Sequence, residues 1–337
     1  MTRSSDVTSW RSVFFLAVLV VSAAQPLQAQ GLDPYETVSA DVLRAWMAEV
    51  SNHGRWGADD QLGTLNLITP AHRLAAVDLV VDGVTVSLAH DLIAGPDENA
   101  IRPLEVEHIP FRGDPTSGAL DRVDILYHGY AYSHLDALSH FAFDGSFYNG
   151  FGLETVSTEG ASSLGVENIG DGIVTRAVLI DIPRLRGVDY LDLGDVVTVT
   201  DLEAGEVRTG IQVSEGDVLL IRTGRWAREA ALGPWSVRQS SAGPHPSIGR
   251  WLRERGVAAL GGDGANDRKP SLVEGVGDPL HQVTIVAMGM PLFDNLDLAA
   301  VAEAAAERDR WTFLFMASPL RLVGASGSPL NPIVMFE

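Results

Sequence analysis

Apolar residues recur along this chain with two periods. Positions 42, 43, 46, 47 and 50 are apolar, the spacing of a half-buried helix, and Ser39 stands where its N-cap belongs. A second short helix is expected over 70–80, opened by Pro70. Runs of Val, Ile and Leu bounded by Gly, Asp or Pro predict strands over 84–89, 105–111, 123–127, 177–182, 217–221, 257–260 and 312–316. Helical spacing returns over 246–255, after Pro246, and over 298–309. Strands and helices mix without a strict βαβ rhythm, and neither a fixed-period repeat nor a low-complexity linker separates them. One α/β domain over 30–337 is the expectation.

The first 29 residues follow another pattern. Arg3 and Arg11 flank the apolar run 13–21, and small or polar residues follow as far as Ala29. A basic flank, a short apolar stretch and a small-residue exit form a secretory signal. The run is shorter than the roughly 20 residues that span a bilayer. Cleavage after Ala24 or Ala29 fits, with Ala29 preferred; an uncleaved anchor is the alternative. The expectation is export, to a bacterial periplasm, with no membrane span in the mature chain.

Composition narrows the chemistry. The 337 residues carry 24 Lys and Arg against 44 Asp and Glu, a net charge of −20. Nucleic acid is excluded as a partner, because neutralising phosphates needs a basic surface. Cysteine is absent, so disulfides, thiolate metal sites and cysteine nucleophiles are excluded as well. Any metal must be held by nitrogen and oxygen.

Those ligand types cluster in one stretch, at His128, His134, Asp136 and His140. On a strand, His134 and Asp136 point to the same face. His140, four residues beyond Asp136, approaches it if the chain turns into a helix there. Imidazole and carboxylate together suit Zn²⁺, Mn²⁺ or Fe²⁺. The competing reading is a cluster of hydrogen-bonded histidines at the edge of the core. The other histidines carry less: His53 and His72 sit in polar segments, His90 and His108 near strand ends, and His245 in a Pro-flanked turn. Trp56 is either an apolar wall for substrate or ordinary packing. Gly261-Gly262-Asp263-Gly264 has neither the Lys/Ser pair nor the spacing of a phosphate loop, and no G-x-S-x-G elbow is present.

The stretch resembles the H-x-G-T-H-x-D-x-P-x-H signature of the cyclase family, which includes bacterial kynurenine formamidase and isatin hydrolase. His134, Asp136 and His140 match it. Ser133 replaces Thr, Leu138 replaces Pro, and Tyr130 stands where the first histidine belongs, with His128 two residues earlier to take over. Four further segments, 55–66, 144–150, 220–224 and 327–332, are similar to motifs of a longer branch of that family.

The resemblance implies a swivelling β/β/α fold, with mixed sheets forming a barrel-like core and helices outside. It also implies a divalent metal, Zn or Mn, held by His134, Asp136, His128, His281 and Asp294. His281 and Asp294 lie one residue further apart than in the family pattern, and Asp replaces Glu. One metal or two both fit. For His281 the alternative is helix capping or packing, and for Asp294 a helix or loop cap. His140 is implied as general acid/base, with Asp136 close enough to orient it. The implied reaction is hydrolysis of an amide C–N bond, cyclic or N-formyl, or of a lactone, by metal-activated water on a small-molecule carbonyl substrate. Alternatives are a metal-dependent cyclase or dehydratase and a non-catalytic exported binding protein. Relatives are commonly homodimers or homotetramers, and the same is expected here.

Overall fold

In the computed structural model, which describes residues 1–2 and 33–336, nine strands form the main sheet. They are β1 (Thr85–Ser87), β2 (His134–Asp136), β3 (Ile173–Asp181), β4 (Val218–Arg222), β5 (Ala259–Gly262), β6 (Leu292–Asp294), β7 (Thr312–Ala317), β8 (Gly327–Pro329) and β9 (Ile333–Phe336). Their order is β1-β9-β7-β3-β4-β5-β6-β2-β8, and the sheet curls into a half-barrel with helices packed on it. The four central strands, β3 to β6, run parallel, and both flanks are antiparallel. Three two-stranded ribbons lie outside this sheet, among them the exposed hairpin of Glu105–Phe111 with Gly118–Asp124. The export segment expected over 1–29 falls almost wholly outside the described residues.

The central strands read as unbroken apolar runs because both of their faces are covered. Val178, Ile180, Leu219, Ile221, Leu260 and Leu292 enter one core, with the helices Ala40–Val50, Gly249–Arg255 and the wide helical turns Gln282–Met288. Ala177, Leu179, Val218, Leu220 and Phe293 enter the other, under the helix Ala299–Arg308. Each strand therefore feeds two cores at period two.

Several expectations need correction. Ser39 takes the N-cap position with extended backbone but makes no capping hydrogen bond. The helix expected over 70–80 stops at Val77, and His72 closes a reciprocal cap with Thr69. The strand expected over 123–127 instead spans Gly118–Asp124, because its pairing with Glu105–Phe111 sets the register. The helix Val199–Thr209 was hidden in a β-like run containing Gly205. A Cβ on that glycine would lie 2.7 Å from Ile180, so the glycine lets the helix approach the sheet.

The edge strand β8 matters for the site. Gly327 pairs with Asp136 and Pro329 with His134. A Cβ at Gly327 would lie 2.3 Å from the Leu135 carbonyl oxygen and 2.9 Å from His128 Cε1. Gly327→Ala should therefore cost about 1–3 kcal/mol through overpacking of backbone against backbone. Urea denaturation of the purified variant measures this; an unchanged midpoint would show that β8 can move aside freely.

Candidate metal centre

Strand pairing creates the first half of the site. His134 and Asp136 lie two apart on β2, with Leu135 directed into the opposite core. On β6, Asp294 sits directly across from His134. Beyond β2 the chain makes a turn closed by His140 N–H donating to the Ala137 carbonyl at 3.0 Å, and no helix forms. The return of His140 toward Asp136 is thus the work of a turn, where a helix was expected. His281 arrives from the helical segment beginning at Pro279, on the same face of the sheet.

The buried Asp136 carboxylate is the hub. Its Oδ1 has His128 Nδ1 at 3.0 Å, His134 Nε2 at 3.4 Å and His140 Nε2 at 3.7 Å. Its Oδ2 has His281 Nε2 at 3.4 Å, and that nitrogen lies 3.6 Å from Asp294 Oδ2. Yet neither Asp136 oxygen, nor His128 Nδ1, has an aligned hydrogen-bond partner. Buried polar atoms without partners are costly. Donor atoms sharing one ion at about 2.0–2.2 Å stand roughly 3.0–3.5 Å apart without bonding to one another. The residues present therefore fit a metal. Two sets of donors share Asp136: His128 with His140, and His134 with Asp294.

The imidazoles are aimed from behind. His134 Nδ1–H donates to the Tyr132 carbonyl at 2.8 Å, which leaves Nε2 with a free lone pair. His128 Nε2 meets Ser326 Oγ at 3.1 Å, turning Nδ1 toward Asp136. The Tyr130 carbonyl accepts from the buried Arg225 guanidinium. Asn295, at φ 56°, spans the same loop, donating to the Gly129 and Tyr132 carbonyls. His140 stacks on His128 at 4.0 Å with a 5° interplanar angle. That stacking fixes its plane, since 3.7 Å to Asp136 is beyond hydrogen-bond reach.

Electrostatics follow from this packing. Burial opposes ionisation of Asp136, but the imidazoles of His140 and His134, with His128, outweigh it and hold its carboxyl well below the usual carboxylate range. Burial pushes His140 down to about 4, against the pull of Asp136. For His281, burial is overcome by Asp136, Asp267 and Asp294, which raise it well above the ordinary histidine value. His134 is raised in the same way, chiefly by Asp136 against burial.

His53, His90 and His108 lie elsewhere: a His53 ring nitrogen meets the Val286 carbonyl, His108 pairs with Asp121, and His90 stands 3.6 Å from Asp297. His245 caps the turn Pro246–Ile248 and is buried against Trp46. Trp56 carries the Arg55 guanidinium over its ring at 4.6 Å. The residues that sequence reading missed are the supports: Asn266, Asp267, Asn295, Ser326 and Arg225. For Asn266 and Asp267 the one available signal was position, since Asp263 through Asp267 follow the buried parallel strand Ala259–Gly262 at its C-terminal end, where α/β sheets place ligands.

A family model named Cyclase matches residues 86–266. A crystal structure of a novel cyclase superposes with a TM-score of 0.74 at 30% identity, covering 85% of this chain and 99% of that one. Isatin hydrolase A from Ralstonia solanacearum shares the fold at 0.53 and 22% identity, covering 79% and 95%. So does an isatin hydrolase bound to the product analogue thioisatinate, at 0.53 and 18%, covering 80% and 100%. No curated protein matches the sequence.

His281, raised well above the ordinary histidine value by its carboxylate neighbours, favours its protonated form and must lose that proton to become a ligand, and the upward shift of His134 acts in the same direction. Metal loading at pH 7 should therefore release protons, and affinity should rise with pH. Calorimetric titration in two buffers of different ionisation enthalpy measures the release; buffer-independent heats would contradict it.

Proposed function

The chain belongs to the cyclase family, and on that premise we propose that it is a metal-dependent hydrolase acting on a C–N bond of a small carbonyl compound. The observation that carries this reading is the buried Asp136 carboxylate, surrounded by four imidazoles and lacking hydrogen bonds of its own. His128, His134 and Asp136 would hold the metal, with His281 and Asp294 offering donors beside them. A divalent ion, Zn or Mn, suits this oxygen and nitrogen set. When bound, it polarises a carbonyl and brings the pKa of a water down to about 7.

The chain's own groups supply the rest. His140 keeps its side chain about one-fifth exposed, while Asp136, His134 and His281 are buried. Burial keeps it neutral at pH 7, so it can take the proton from water and return it to the leaving nitrogen or oxygen. Ser326 and the Tyr132 carbonyl keep His128 and His134 in position. Phe141 stands edge-on to His140 at 4.6 Å and lies 5.0 Å from His281. An aromatic wall there favours a planar substrate, a cyclic or N-formyl aryl amide before an aliphatic one. Two neighbours of the same fold are named isatin hydrolases, which supports that class.

Elemental analysis of the purified protein should find a divalent metal, and chelation should abolish turnover in a panel of isatin, N-formylkynurenine and simple lactones. His140→Ala should retain metal while losing about 10²–10⁴ in kcat. Turnover unchanged by chelation would end the metal reading. Turnover only on β-hydroxy-carbonyl compounds would favour a dehydratase. We propose in addition that the chain is exported and assembles as a homodimer or homotetramer. Fractionation of the expressing cell and light scattering of the mature protein test both.

A further inference from the structure

We propose that the turn formed by Asn266 and Asp267 positions both late donors, His281 and Asp294, and so governs how tightly metal is held on that side of Asp136. This rests on the metal reading above but concerns residues in the layer behind the ligands. His281 and Asp294 come from different elements, a helix start and a strand, and are not paired with each other by register. What they share is this turn, which follows β5.

Asp267 is wholly buried and accepts from three N–H groups. Its Oδ1 takes the Leu280 amide at 2.8 Å; its Oδ2 takes the His281 amide at 3.3 Å and faces His281 Nδ1 at 2.6 Å. A carboxylate only accepts, so Nδ1 carries the proton and Nε2 is the nitrogen turned to Asp136 and Asp294. Asn266 treats the other donor in the same way. Its Nδ2 donates to the Phe293 carbonyl at 2.9 Å and to Asp294 Oδ1 at 2.7 Å, leaving Asp294 Oδ2 toward the site.

The backbone is shaped for this. Asn266 has φ 48°, a left-handed conformation that asparagine tolerates. A Cβ on Gly262 would lie 2.7 Å from Asn266 Oδ1. The glycine run before the turn thus makes room for the asparagine. Asp267, Asp278 and His281 could themselves be taken for a separate ion site. Their atoms are already committed: Asp278 pairs with the Lys269 ammonium, and His281 Nδ1 with Asp267.

The test is Zn²⁺ affinity by chelator competition on the full chain, with thermal melting of the metal-free proteins alongside. Asp267→Ala should weaken Zn²⁺ binding by about 10- to 100-fold. The double variant Asp267→Ala with His281→Ala should bind no more weakly than His281→Ala alone. Asp267→Asn, which keeps an acceptor for Nδ1–H, should recover part of the loss, and Asn266→Ala should weaken binding by a smaller factor. Should Asp267→Ala not fold, Asp267→Asn and Asn266→Ala carry the comparison. Binding within twofold of wild type in the Asp267 and Asn266 variants, with binding impaired in His281→Ala, overturns this proposal alone. Additive losses in the double variant overturn it as well. Failure of the wild-type chain to bind Zn²⁺ or Mn²⁺ overturns the metal reading and this inference with it.

Discussion

A buried carboxylate ringed by imidazoles is the constraint around which this molecule is arranged. Asp136 has no solvent and no hydrogen bond of its own, and an ionised group in that condition is very unfavourable unless positive charge compensates it. Protons on the surrounding histidines can supply that charge, and so can a cation. The raised values of His134 and His281 and the depressed value of Asp136 are two sides of this one compensation. Metal and proton compete for the same lone pairs, so the chemistry of the site and its pH dependence have a common origin.

Holding such a cluster requires rigidity on every side. β2 is only three residues long, but β6 and β8 clamp it from both edges. Behind it, Leu135 and Phe293 are fully buried in one core, while Leu292 and Leu138 anchor the face that carries the donors. The loop before β2 has no regular structure, and side chains take over its backbone hydrogen bonds. Asn295 and Arg225 bond the carbonyls of Gly129, Tyr130 and Tyr132, and Arg225 is itself seated on a helix whose first amides are capped by the buried Asp263. Asp263 accepts from Thr223, Gly224 and Arg225, a carboxylate set at the positive end of the helix Arg225–Leu232.

Legibility in the sequence followed the range of the forces involved. The longer central strands were visible because burial on both faces makes them continuously apolar, and Ile173–Asp181, Val218–Arg222 and Thr312–Ala317 lie within a few residues of their expected places. Three-residue strands such as Leu292–Asp294 carry too few positions for a period to show. The helix Val199–Thr209 was lost to its β-branched start and its glycine, which make sense only once Ile180 lies against them. At the site, the same-face placement of His134 and Asp136 follows from strand period alone. His128 is different: its distance from Asp136 depends on a loop whose course is set by Asn295 and Arg225, far away in sequence.

The sequence by itself determined the ligand chemistry and the core of the donor set, because cysteine is absent and because two residues at strand spacing must share a face. It carried the cyclase-family resemblance as well, in motifs whose residue types and spacing are local. Only the tertiary structure decided which nitrogen of each histidine faces Asp136. It alone brought Asp294 across from His134 and gave Asp267 and Asn266 to the two late donors. The placing of Asp294, Asp267 and Asn266 joins segments more than ten residues apart, fixed by strand register and by hydrogen bonds to buried groups, and no local pattern of residues encodes it.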